Sequence, residues 1–355
     1  MADKSIMAST CGPTVLADQN PIIPENYEKD LFNDMGFVLR ARSDEGHDIH
    51  LWMFMYRQLG EAVIIDNEVC QTLLVKVAFT DEEKKTMHDA PFINKGQNID
   101  DYNEVGTMGF TSSESKVSWS LNGRVFESQP PNWHVKGGHA GVLVDLHFSQ
   151  RGQAFYHCGE FSNIKNDEGI AGFVVHCRAT GTVTVQDKLY TISDGHGVHE
   201  RIVMGGLVPD RLSSMAGRGS NWLHGWGKSF SFYTLTRDVS QSSTFMLNID
   251  GETLASVGED VSITEAEHWL DPKTNQMNPR KWRLRATTAK GRLEAVVTAY
   301  GRAYYTWIRR GGTLLVHQFV ADCEARFTFA DGTILEEKQM VASLEYMRTL
   351  YHQKS

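Results

Sequence analysis

The chain of 355 residues is 41% hydrophobic and 22% charged, the proportions of an ordinary globular protein and long enough to hold two cores. A formal net charge of -9, a pI near 5.9 and the lack of any lysine-arginine stripe exclude nucleic acid as the expected partner. No run approaches the roughly 18 apolar residues that a membrane-spanning helix needs. Met1 to Pro24 has neither the basic start nor the apolar centre of a secretory signal, so a mobile arm over residues 1–24 and a cytoplasmic location are expected. Five scattered cysteines, Cys11, Cys70, Cys158, Cys177 and Cys323, form no C-x-x-C pair and read as free thiols.

In chain order, Met35 to Arg42 alternates, Ser43-Asp44-Glu45-Gly46 turns, and Ile49 to Arg57 runs back. Leu73 to Phe79 reads as a further strand. Residues 81–104 are charged and unpatterned, which predicts a loop or short helix acting as a flap over a barrel mouth. Asn122-Gly123 inside Trp119 to Phe126 is a strong hairpin signal. Gly141 to Phe148 alternates, with Val142, Val144 and Leu146 on one face and Leu143, Asp145 and His147 on the other. Thr180 to Ile192 is predicted as a hairpin turning at Gln186-Asp187-Lys188. Residues 205–219, with four glycines and no period, predict a connection or a long loop over a pocket.

Beyond it, Lys228 to Thr236, Thr244 to Asp250, Trp282 to Thr288, Leu293 to Tyr300, Ala303 to Arg309, Leu314 to Val320, Ala325 to Phe329 and Thr333 to Glu337 read as strands. Val341 to Tyr351 reads as a terminal strand or a short helix. Many short strands and little helix predict an all-β protein with two barrel lobes in tandem, residues 25–204 and 220–355.

The densest chemistry lies in Gly195-His196-Gly197-Val198-His199-Glu200-Arg201-Ile202. On a continuing strand His196, Val198, Glu200 and Ile202 share one face, and Gly197, His199 and Arg201 the other. A carboxylate and an imidazole four apart on an inward face suit acid-base work; the alternative is a salt-bridged strand end on the surface. Arg201 is either a structural partner for Asp194 or Glu200 or a group that orients a polar part of a substrate. His134, His139, His157, His176, His196 and His199 are the candidate metal ligands. The H-E-x-x-H order on a helix is lacking, and His196 and His199 diverge on a strand, so no metal is expected. No phosphate-binding loop and no G-x-S-x-G elbow occur. Trp222-Leu223-His224-Gly225-Trp226 would line a pocket or plug a barrel end.

Gly195 to Ile202 resembles the G-H-G-Y-H-D-H-N-W-G signature of the AttH/CrtC-like superfamily, which includes carotenoid hydratase, tocopherol cyclase, kievitone hydratase and fungal Diels–Alderases. Three further stretches resemble it in order. Phe37-Val38-Leu39-Arg40 with Phe54-Met55-Tyr56-Arg57 is similar to its first hairpin, and Arg178 to Val185 to the hairpin before the signature. His268-Trp269-Leu270-Asp271-Pro272 with Asn278-Pro279-Arg280-Lys281-Trp282 is similar to its W-x-x-P…P-x-x-W segment. Glu200 stands at the signature's Asp, while Val198, Arg201, Ile202 and Val203 replace its tyrosine, second histidine, asparagine and tryptophan. The missing tyrosine argues against carotenoid-type hydration; the carboxyl group survives.

The resemblance implies tandem lipocalin-like lobes and chemistry without redox cofactor or metal on a hydrophobic isoprenoid, polyketide or steroid-like molecule. The outcome would be isomerisation, cyclisation or hydration/dehydration. In that reading Glu200 is the proton donor and His196 relays or accepts the proton. Trp222, Trp226, Val198, His199 and Arg201 then contact substrate. A carrier that binds the same hydrophobic ligand without transforming it is the alternative.

Overall fold

The computed structural model describes residues 10–22, 31–60, 63–77, 80–88, 102–139, 141–166, 168–206, 220–237, 242–309 and 312–352. Of these described residues 74% are strand and 5% helix. The first lobe comprises β1 (Thr10–Gly12), β2 (Leu31–Arg42), β3 (Asp48–Leu59), β4 (Asn67–Val77), β5 (Tyr102–Asn103), β6 (Gly109–Ser112), β7 (Val117–Leu121), β8 (Arg124–Gln129), β9 (Asn132–His139), β10 (Val142–Gly159), β11 (Gly169–Val185) and β12 (Lys188–Gly205). The second comprises β13 (Ser220–Trp226), β14 (Phe230–Arg237), β15 (Ser242–Ile249), β16 (Glu252–Val257), β17 (Val261–Glu265), β18 (His268–Leu270), β19 (Met277–Pro279), β20 (Lys281–Thr288), β21 (Gly291–Arg309), β22 (Gly312–Phe329) and β23 (Ile334–His352).

Both lobes are antiparallel meanders that curl until an early strand pairs with the last. In the first sheet, ordered β5-β4-β3-β2-β12-β11-β10-β9-β8-β7-β6, β2 closes against β12. In the second, ordered β16-β15-β14-β13-β23-β22-β21-β20-β17, β13 closes against β23. Two predicted turns account for two of the hairpins. Asn122-Gly123 and Gln186-Asp187 each hold two successive residues at positive φ, the twist that a two-residue β-hairpin requires. The all-β, two-barrel expectation agrees with this architecture: one curled half-barrel and one nearly closed barrel.

The three largest apolar clusters among the described residues follow from strand alternation. One fills the first lobe (Phe37, Met53, Trp119, Phe126, Phe148 among others) and one the second (Phe232, Trp282, Phe319, Phe327). The third lies between the lobes and joins Trp52, Val75, Phe155 and Val198 to Trp222, Tyr233, Tyr305 and Val316. At roughly 1.5–3 kcal/mol per large apolar side chain buried, this seam is part of the fold rather than a loose domain contact.

The strands are longer than their sequence pattern suggests. Leu293 to Tyr300 and Ala303 to Arg309 are one strand, β21, with a register shift between Ala299 and Gly301. Before the shift Leu293, Ala295, Val297 and Ala299 face the second lobe's interior; after it Ala303 and Tyr305 face the seam. A bulge of this kind inverts the phase of alternation, which makes one strand look like two. Leu314 to Val320 and Ala325 to Phe329 likewise merge into β22, and Thr333 to Glu337 with Val341 onward into β23.

The arm expected over residues 1–24 is described from Thr10 to Ile22, where it is tied down. β1 pairs with β10, and Leu16–Gln19 forms a 3-10 turn that inserts the fully buried Gln19 into the first lobe. In the predicted flap, Glu83–Lys85 is a 3-10 turn and the N–H of His88 donates to Tyr300 O at 3.0 Å, linking the lobes. Residues 89–101 of that flap and 207–219 of the predicted connection lie outside the described residues.

Candidate active site at the lobe seam

Gly195 to Ile202 runs through the middle of β12, flanked by β11 and β2, so the surface strand end is not what the structure shows. Val198 is completely buried and Glu200 is 8% exposed. The glycines of the motif serve close packing. A Cβ on Gly197 would lie 2.6 Å from the ring of Phe148, itself fully buried in the first lobe's core. Gly197→Ala should therefore destabilise the protein by about 1–3 kcal/mol through overpacking. A lower urea midpoint at unchanged slope is the expected reading.

The β12 alternation sends Glu200 and Val198 into the seam. Opposite them stand the closing strands of the second lobe. Trp222 on β13 donates its indole N–H to Glu200 Oε1 at 3.0 Å. Trp222 is in register with Glu345 on β23, which places a second carboxyl group beside the same indole. Glu345 accepts hydrogen bonds from the Gln318 side-chain amide and, at 3.3 Å, from the Tyr305 hydroxyl. Asp34 on β2, in register with Ile202, is the third; its Oδ1 accepts the Ile202 N–H at 2.8 Å. The closing strand pairs of both lobes thus gather Asp34, Glu200 and Glu345, and His157 Nε2 lies 3.9 Å from Glu200 Oε1.

Burial dominates the electrostatics. It raises Glu200 well above the ordinary carboxyl range, reinforced by the charges of Asp34 and Glu345 and opposed by the Trp222 N–H. Burial also pushes Asp34 up to about 7, against the pull of Arg201 and the Ile202 N–H. Glu345, partly buried, is pushed up to about 7 by desolvation, against the Gln318 and Tyr305 donors. A carboxyl group at the seam is therefore a proton donor near neutral pH.

The sign of the linkage follows. An acid whose folded pKa is raised contributes stability that is complete below its unfolded value, about 4.3 for Glu, and lost as pH rises through the folded one. Glu345→Gln removes that loss. Relative to wild type the variant should gain on the order of 1–3 kcal/mol between pH 4 and about 7 and nothing further above. Urea midpoints of both proteins at pH 5 and pH 8 check this.

The other predicted residues separate. His196 shares the face of Glu200, but four strand residues at roughly 3.3 Å each put it about 13 Å away along β12. Its half-buried ring stacks on Trp226 with centroids 5.7 Å apart, and burial lowers its pKa to about 4. His199 and Arg201 point into the first lobe. His199 stacks on Phe37 at 4.5 Å, bonds Gly36 O and Gln19 Oε1, and is lowered by burial to about 3. Arg201 donates to the carbonyls of Asp34, Asn20 and Ile202 and lies over the Trp119 ring at 4.7 Å. Neither of the two partners expected for Arg201 is used; Asp194 binds Arg178 at 3.0 Å instead. Trp222, Trp226 and Val198 are brought together at the seam.

Sequence reasoning missed Asp34, Glu345 and the role of His157, because only strand register and lobe packing bring them to Glu200. Between Trp222 and Trp226, His224 Nδ1 meets His176 Nε2 at 2.9 Å, and His176 Nδ1 meets Ser231 Oγ at 2.9 Å. His224 also stacks on Tyr233, whose ring packs on His157. The seam therefore carries a continuous run of imidazole and aromatic rings leading to the carboxyl cluster.

No family model and no curated protein matches this sequence. Solved structures do. A putative AttH from Nitrosomonas europaea superposes with a TM-score of 0.57 at 10% identity, over 96% of this chain and 100% of that one. Kievitone hydratase from Nectria haematococca gives 0.53 at 11% identity, over 98% and 95%. CghA gives 0.54 at 10% identity, over 98% and 100%. At these identities what is shared is the fold, two barrel lobes in tandem arranged as in these structures.

Proposed function

We propose that the protein is an acid-base enzyme that transfers a proton from Glu200 to a carbon of a hydrophobic small molecule, using no redox cofactor or metal. The observation that carries this reading is a buried carboxyl group held by the Trp222 N–H and faced by two more carboxyl groups. Each of the three has a raised pKa. Such a group is protonated at neutral pH, and Trp222 is already placed to stabilise the carboxylate left after transfer. The faces of Trp222 and Tyr233 would stabilise positive charge developing on the substrate. Glu345, whose pKa of about 7 leaves it partly ionised near neutrality, or His157 then takes a proton from a neighbouring carbon, which gives isomerisation or ring closure, or from an attacking water, which gives hydration. The match in fold to a hydratase and to CghA supports an enzyme, and the apolar seam supports an isoprenoid, polyketide or steroid-like substrate.

Deuterium incorporation tests the reading. Wild-type protein is incubated in D2O with a polyprenol, a prenylated phenol and a steroid enone, and mass spectrometry reads carbon-bound deuterium. One deuterium per turnover from wild type and none from Glu200→Gln is the expected result. Tight binding of such ligands without conversion would instead make the protein a carrier.

A further inference from the structure

On the outer wall of the first lobe, away from the seam, the alternation of β10 turns Asp145 and His147 to solvent while Val144, Leu146 and Phe148 face the core. His147 is in direct register with His134 on β9, and Asp145 with Lys136. The three side chains His134, Asp145 and His147 each present a ligand atom, and all three atoms lie within 4.8 Å of one another.

Three features make this more than a chance surface cluster. The two imidazoles lie nearly parallel, 13° apart in plane with centroids 4.1 Å apart, so their edges are presented side by side. His134 Nε2 is 2.7 Å and His147 Nε2 3.9 Å from the same oxygen, Asp145 Oδ1. Ligand atoms at about 2.0–2.1 Å from a tetrahedral zinc ion are about 3.3–3.4 Å apart, so these separations bracket what the ion requires. The remaining nitrogen of His134, Nδ1, lies 3.4 Å from Glu127 Oε2 on β8. That outer carboxylate fixes the ring so that Nε2 points at Asp145, the arrangement that typically supports a histidine ligand. Lys116 and Lys136 both engage Glu127, at 3.1 and 3.3 Å, which directs their charge to the supporting carboxylate.

We propose that His134, Asp145 and His147 form a surface binding site for a borderline divalent cation of the Zn2+ kind, with Glu127 as its supporting carboxylate. Two imidazoles and one carboxylate are the donor set such ions favour over Mg2+ or Ca2+, and three protein ligands leave the fourth position open to water or an exogenous ligand. The site is separate from Glu200 and stands or falls independently of the chemistry proposed there.

Titration of untagged protein with zinc chloride in a non-chelating buffer, followed by calorimetry, tests it. One Zn2+ per chain with micromolar affinity is expected. His147→Ala and His134→Ala should each weaken binding at least tenfold, and Glu127→Gln by about 10–100-fold. His268→Ala, an exposed histidine in the second lobe, should leave the isotherm unchanged. All four variants lie at partly or fully exposed positions and should keep the wild-type circular dichroism spectrum. The lack of saturable binding, or a wild-type isotherm in either His134→Ala or His147→Ala, would overturn the proposal.

Discussion

Glu200→Gln is expected to lower turnover by about 10²–10⁴-fold, the usual share of a general acid, while leaving ligand affinity nearly unchanged. Glutamine preserves the shape of the side chain, and its carbonyl oxygen can still accept the Trp222 N–H that now reaches Glu200 at 3.0 Å. It has no proton to release to carbon. Because burial raises the Glu200 pKa well above the ordinary carboxyl range, glutamine is a close neutral counterpart of the acid, and the urea midpoint at pH 7 should move little. Glu200→Asp should keep part of the activity, since the acid remains but its shorter arm draws it back from Trp222. Turnover and ligand affinity measured side by side separate the effects. If Glu200→Gln matches wild type in rate, the carboxyl group is structural and the donor lies elsewhere among Asp34, Glu345 and His157.

In the second lobe, Arg302→Met should cost about 3–5 kcal/mol of stability, the penalty for leaving one member of a buried ion pair alone. Arg302 and Asp271 are both 0% exposed, and the guanidinium binds both carboxylate oxygens. His317 Nε2 adds a contact at 3.1 Å and the Lys273 N–H another at 2.8 Å, while the rings of Trp269 and Tyr304 flank the guanidinium at 5.3 and 5.2 Å. These donors together hold the Asp271 pKa below the usual carboxylate range. The pair's contribution is therefore complete above about pH 5 and fades as pH falls through the carboxyl range. Methionine fills much of the volume, so the loss reports the uncompensated charge. Arg302→Met with Asp271→Asn should recover part of it. The measurement is urea unfolding at pH 7, and a loss under 1 kcal/mol would mean that Asp271 finds another cation or water.

How much of this could be read from the sequence depends on the range of the interaction. Asn122-Gly123 and Gln186-Asp187 announced their hairpins because turn chemistry is local. The two faces of β12 are legible from His196 to Ile202 because side-chain period in a strand is fixed by backbone geometry. The segment around Asp271 stood out as a pattern, but its partner Arg302 lies 31 residues away, and only the barrel brings them together. Asp34 and Glu345 were illegible for the same reason, as register between β2 and β12 and packing of one lobe on the other leave no mark on adjacent residues. β21 is obscured for a different reason, since the irregularity at Tyr300 reverses the alternation that marks a strand in sequence.

The division of the carboxyl cluster between the lobes has a consequence for how such a protein can change. Glu200 and Asp34 come from the closing strands of the first lobe, Trp222 and Glu345 from those of the second. A lobe exchanged as a cassette with that of a distant relative would carry half of the buried carboxyl cluster and a mismatched apolar face. The two halves are therefore constrained to vary together across the seam. Compensating pairs, such as a shortened acid on β12 with a bulkier donor on β13, are the changes through which new reactivity would arise in recombinant or natural variants.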